Sequence, residues 1–183
     1  MTKDSDVDLF GVYKCPIDSL LELDKPLFTL SNRGYIYTDF TDYDFSIYEL
    51  NQFVDGLVRG EPVFVEALFV DSFDNRYSFE NELWLELRDF RDLFLNKKTA
   101  SLYLKNAKYK RNKYFRLKNN GDSKELSKLL YHAIRFSYIG QQILEGRSPD
   151  VYLEGFMRNY FLDIKQGKNK NSEEELEVLM HAF

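Results

Sequence analysis

Asp4-Ser5-Asp6-Val7-Asp8-Leu9-Phe10-Gly11-Val12-Tyr13 alternates acids with apolar residues and runs directly into a hydrophobic strand pattern. In an extended chain successive side chains take opposite faces, so Asp6 and Asp8 share one face while Val7 and Leu9 share the other. At a rise of roughly 3.3 Å per residue, the two acidic positions stand about 6 to 7 Å apart. Both carboxylates can then ligate one Mg²⁺ or bridge two ions, and paired ions in phosphoryl-transfer sites sit about 3.5 to 4 Å apart. The segment reads as a metal-binding strand. A solvated acidic tail is the competing reading, because Asp is unfavourable in a strand unless something binds it. A calcium loop also matches at Asp4, Asp6 and Asp8, but it fails at Leu9, where the turn needs Gly, and at Cys15, where a bidentate Glu is required.

The 183 residues suffice for one domain with a sizeable core, or a core domain with a helical appendage. Hydrophobic content of 44% argues for a folded chain, and 30% charged residues argue for a soluble one. The single Cys15 excludes an internal disulfide, and no Cys-His cluster suggests zinc. No stretch approaches the roughly 18 apolar residues of a membrane span, and no basic-then-apolar leader opens the chain. Cytoplasm is the expected compartment.

Net charge is −5, yet the stretch from Lys97 to Gly121 carries nine basic residues and no acid, leaving −14 on the rest. Such asymmetry predicts a polyanion-facing surface beside an acidic one. Tyr103, Tyr109, Tyr114 and Phe115 interleave with the cations, a pattern suited to stacking bases while charges follow a backbone. Lys108 and Arg111 are its candidate substrate contacts. A solvated helix face has the same composition.

Short strands are expected at Leu27 to Leu30 and Tyr35 to Tyr37, forming a hairpin around Ser31-Asn32-Arg33-Gly34. Asp44 to Tyr48 reads as a further strand, and Glu49 to Arg59 as a helix stopped by Gly60 and Pro62. Val63 to Val70 is nearly continuous in apolar residues, and periodicity leaves strand and short helix both open. Its one acid, Glu66, needs a partner if buried: a metal ligand or substrate group, or a structural contact to Lys, Arg or a backbone N–H. Ser78 is expected to cap a helix whose apolar stripe runs Phe79, Leu83, Leu87, Phe90 and Phe94. The basic segment is expected to be helical from Ala100, followed by a helix capped at Asp122 or Ser123, another over Val151 to Lys165, and a last one opened by Ser172. Strands first and helices later predict an α+β fold, with a core over residues 1–75 and a helical region over 76–183.

The opening motif resembles the strand motif of nucleotidyltransferases of the DNA polymerase beta superfamily, and in particular a phage and bacterial subfamily sometimes encoded near RNA ligases. Further segments resemble that subfamily in the same order: Tyr43-Asp44-Phe45-Ser46-Ile47-Tyr48-Glu49-Leu50, then Gly60-Glu61-Pro62-Val63-Phe64-Val65-Glu66-Ala67-Leu68-Phe69, then Lys128 to Arg135. The resemblance implies transfer of a nucleoside monophosphate from an NTP with Mg²⁺ or Mn²⁺, the acceptor being RNA, another nucleic acid, a protein or a small molecule. It implies that Asp6 and Asp8 are metal ligands and that Asp44 is the third carboxylate, helping to activate the attacking hydroxyl; Asp39 and Asp42 are nearby alternatives. His132 and Arg135, one turn apart, would contact a phosphate or base, or else form a packed polar pair linking helix to sheet. The superfamily's Gly-Ser element, which grips the triphosphate through backbone amides, has no counterpart in the five residues before Asp6. The expectation is therefore a truncated chain with impaired nucleotide positioning. A non-catalytic nucleotide- or nucleic-acid-binding relative, or a purely structural helical protein, is the alternative.

Overall fold

The computed structural model describes residues 7–16, 29–31, 43–70, 82–169 and 171–181. They form an α+β fold, strands leading and helices following, as the residue pattern predicts. Two compact units divide the chain, Met1–Val58 and Arg59–Phe183.

The first unit contains β1 (Val7–Tyr13), β2 (Thr29–Ser31) and β3 (Tyr43–Glu49), joined in the order β1-β3-β2. β1 runs parallel to β3 and β2 antiparallel to it. Helix α1 (Leu50–Arg59) follows β3 without a break. The change of direction is fixed by Glu49, whose buried carboxylate accepts from the backbone N–H of Asn51 at 2.7 Å and of Gln52 at 3.4 Å. An anion there satisfies amides that helix geometry leaves open and complements the positive helix end. Thr29–Ser31 pairs with β3, Leu30 opposite Ile47; the second strand of the expected hairpin, residues 35–37, lies outside the described residues.

In the second unit α2 (Pro62–Phe69) resolves the apolar run as a helix, with Pro62 in its first turn where a missing N–H costs nothing. Gly60 makes the preceding turn at φ +81, and a Cβ there would stand 2.7 Å from the Cα of Thr99. Only glycine fits.

α3 (Glu82–Asp89) and a 3₁₀ turn at Arg91–Phe94 replace the single predicted helix through Phe94. Its stripe is not buried: Leu83 is 39% and Phe90 58% exposed, and Phe79 lies outside the described residues. Asn96, an extended residue whose side chain accepts from the amides of Lys98 and Thr99, starts a new helix. α4 (Lys97–Leu117) therefore begins three residues before the expected Ala100.

α5 (Ser123–Leu144), capped by Asp122 as expected, lies against α4 in an antiparallel hairpin. Gly140 lets the two approach, since a Cβ there would meet Leu104 at 3.0 Å. α6 (Gly155–Lys165) is shorter than the predicted Val151–Lys165, because Glu154 is extended and Gly155 takes φ +53 at the entry. α7 (Ser172–His181) closes the described chain. Tyr114, Leu130, Ala133, Ile134, Phe161, Ile164 and Leu176 form the main core where α4 to α7 meet. No helix among the described residues is long and apolar enough to cross a membrane.

Candidate functional site

Asp6 lies outside the described residues, while Asp8 falls in β1 and Asp44 in β3. The strand register pairs them directly, Asp8 opposite Asp44, with Phe10 opposite Ser46 and Val12 opposite Tyr48. Positions in register on neighbouring strands share a sheet face and lie about 4.8 Å apart. The two acidic positions, 36 residues apart in the chain, thus become neighbours on one face. Farther along that face Phe10 touches the ring of Tyr48 at 5.3 Å and that of Phe53 on α1 at 5.9 Å. The two acidic positions lie toward one end of the strand pair and the aromatic cluster lies farther along it. Asp39 and Asp42 lie outside the described residues. Among those described, no group of three His, Cys, Asp or Glu side chains is arranged to hold a metal ion.

Glu66 sits in the second unit, on α2, and its partners are now explicit. One carboxylate oxygen accepts from the Arg135 guanidinium of α5 at 2.5 Å, and the other from the Tyr103 hydroxyl of α4 at 3.3 Å. Tyr103 is fully buried, and burial, then the charge of Glu66, pushes its hydroxyl far above the ordinary tyrosine range. Burial disfavours the Arg135 cation, but Glu66, Tyr131 and Tyr103 outweigh it and raise the guanidinium. The network ties three helices together, and in it Arg135 links helix to helix. His132, one turn earlier, stacks on Phe136 with centroids 6.0 Å apart and meets Tyr131 edge-on at 5.1 Å. Burial, reinforced by Lys110, Lys128, Arg135 and Lys165, lowers its pKa to about 4. The imidazole is neutral at physiological pH.

The cations of α4 divide among different tasks. Arg111 donates from Nε and Nη2 to the two oxygens of Glu177 on α7, at 2.8 and 2.7 Å, and lies over the Phe115 ring. Lys113 pairs with Glu125 and Lys118 with Glu173, whose other oxygen accepts from the Tyr114 hydroxyl. Glu173, which reads in the sequence as a first-turn acid of α7, therefore also holds it to α4. Lys105, Lys108, Tyr109, Asn112 and Arg116 occupy the exposed side of α4, Tyr109 at 61% exposure. Lys108 and Arg111, named together from the sequence, have different surroundings, since only Arg111 has an acid partner in α7. Glu49, the buried helix cap, went unremarked at the sequence level; its position one residue before an amphipathic helix was the available signal.

A small mixed sheet aligns two aspartate positions, and a helical region follows it in the chain. The family model described as "RNA repair pathway DNA polymerase beta family" matches residues 1–175. The chain belongs to that family. No curated protein and no solved structure matches it significantly.

Proposed function

We propose that the protein transfers a nucleoside monophosphate from an NTP to an acceptor in RNA repair, using a divalent ion held by Asp6, Asp8 and Asp44. One observation carries the reading: the register that brings Asp8 and Asp44 to adjacent positions on one sheet face. Two carboxylates at that separation fit a hard, oxygen-seeking cation such as Mg²⁺ or Mn²⁺. When bound, such an ion neutralises charge developing on the transferred phosphoryl group. Asp44 is assigned a second task, accepting the proton of the attacking acceptor hydroxyl at its carboxylate. Family membership over residues 1–175 supports this assignment. Lys108 and His132 are kept as contacts for the acceptor. Glu66, Arg135 and Arg111 already satisfy one another or Glu177, which suits helix positioning more than substrate capture.

Incubation of the full chain with labelled NTPs, Mg²⁺ or Mn²⁺ and a panel of RNA ends tests the reading. Asp8→Asn and Asp44→Asn should each lower transfer by about 100-fold or more, as loss of charge stabilisation at a reacting phosphoryl group does. Circular dichroism should stay unchanged. Turnover retained in both variants, or insensitive to EDTA, would remove these residues from the mechanism.

A further inference from the structure

Lys128, His132 and Arg135 follow one another at spacings of four and three on α5, and so line one side of that helix. Two other helices bring cations to the same place. α6 crosses α5 where Phe161 meets Tyr131, ring centroids 5.9 Å apart, and one turn later the Lys165 ammonium lies over the Tyr131 ring at 5.8 Å. Just beyond, a Cβ on Gly167 would stand 2.8 Å from the Ser127 hydroxyl, which fixes this end of α6 beside the first turns of α5. The α4 and α5 hairpin pairs Lys113 with Glu125 and packs Tyr103 on Phe136. Antiparallel progression between these contacts sets Lys110 across from Lys128 and Leu129, one turn before His132.

Arg135 is neutralised by Glu66. The other three cations are not: Lys110, Lys128 and Lys165 have no carboxylate partner among the described residues. Lys110 lies over the Tyr109 ring at 5.9 Å, and Lys165 over that of Tyr131. All three act electrostatically on one imidazole. Like charges gathered beside a half-buried group repel and have no internal counter-charge, so an anion placed among them removes the repulsion and gains direct pairing. The neutral His132 adds a ring nitrogen that can donate a hydrogen bond to a phosphate oxygen, and Tyr131 adds a ring face to the site.

We propose that Lys110, Lys128 and Lys165, converging from three helices around His132, form a binding site for a backbone phosphate of a single-stranded polynucleotide. Three separate lysines suit a phosphodiester held as a point charge. The inference names the acceptor class of the transfer reaction and rests on that reading for its place in catalysis, but the binding itself is measured without NTP or metal.

Fluorescence anisotropy of a labelled single-stranded RNA against the full chain, over a series of salt concentrations, is the test. Lys110→Gln, Lys128→Gln and Lys165→Gln combined should weaken binding at least about tenfold at low salt and reduce the slope of log affinity on log salt by about 0.7, the value for one phosphate contact on a single strand. Lys97→Gln, about 20 Å away along α4 at 1.5 Å per residue, serves as the control and should bind as the parent does. RNA should also raise the pKa of His132, followed by NMR, because a bound anion favours the imidazolium. An unchanged salt slope in the triple variant, an unmoved His132, or tripolyphosphate binding as tightly as an RNA of several nucleotides would each overturn the assignment, the last by showing a site for free phosphates. Failure of the transfer assay with this binding intact would count against the nucleotidyltransferase reading alone.

Discussion

Replacing Glu66 by Ala removes the acceptor for two buried donors at once, the Arg135 guanidinium and the Tyr103 hydroxyl. The Glu66 and Arg135 side chains are only 15% and 14% exposed, so water cannot fully take over. Breaking a buried pair from one side costs about 3 to 5 kcal/mol; partial solvent access lowers that to about 2 to 4 kcal/mol here. Tyr103 retains only the Pro62 carbonyl, a long contact at 3.4 Å. For a chain of this size the loss corresponds to a fall in Tm of about 5 to 12 °C. Urea unfolding followed at 222 nm measures it, with Glu66→Gln expected to lose less because it keeps an acceptor for Tyr103 and a polar contact to Arg135. The double replacement Glu66→Leu with Arg135→Met should cost less than the two single changes together, with a coupling of about 1 to 3 kcal/mol. A loss under about 0.5 kcal/mol for Glu66→Ala, or strictly additive changes, would refute the view that this triad holds α2, α4 and α5 together.

Gly60→Ala should destabilise the protein by about 2 kcal/mol or more, since left-handed backbone penalises an L residue and the added Cβ would stand 2.7 Å from Thr99 backbone; a neutral result in thermal unfolding would contradict the turn geometry. His132 should titrate near pH 4 by NMR, below its ordinary 6.5, because burial and then Lys110, Lys128, Arg135 and Lys165 disfavour its charged form. A depressed folded pKa means the unfolded chain binds the extra proton first, so this contribution is fully present above about pH 6.5 and is lost as pH falls toward 4. The full shift is worth about 3 kcal/mol, and partial exposure reduces it to about 1 to 2 kcal/mol. His132→Gln should flatten the pH dependence of stability over that interval, and an equally steep profile in the variant would remove His132 as its source.

The strand that opens the chain, the capped start of α5 and the helical second half were legible because each depends on local pattern: alternation, an Asp cap, and apolar residues at spacings of three and four. Two features lay beyond the local pattern. Nothing in Leu27 to Leu30 says that β3 pairs with it, and the stripe through Phe94 does not show that its helix stops at Asp89 and gives way to a 3₁₀ turn.

The same division applies to function. Sequence by itself determined which residue types are available: acids alternating through Asp6 and Asp8, a third acid at Asp44, an acid at Glu66 that required a partner, and a basic stretch from Lys97 to Lys118. Tertiary structure alone decided which of them meet. Hydrogen-bond register made Asp8 and Asp44 neighbours, packing of three helices gave Glu66 to Arg135 and Tyr103, and docking of α7 claimed Arg111 from the basic stretch. Lys165 reached the Tyr131 ring by the same route, through a helix crossing that no linear spacing encodes. The physical reason is common to all: charges interact over a few ångströms, and only the folded backbone sets distances of that size between residues far apart in the chain.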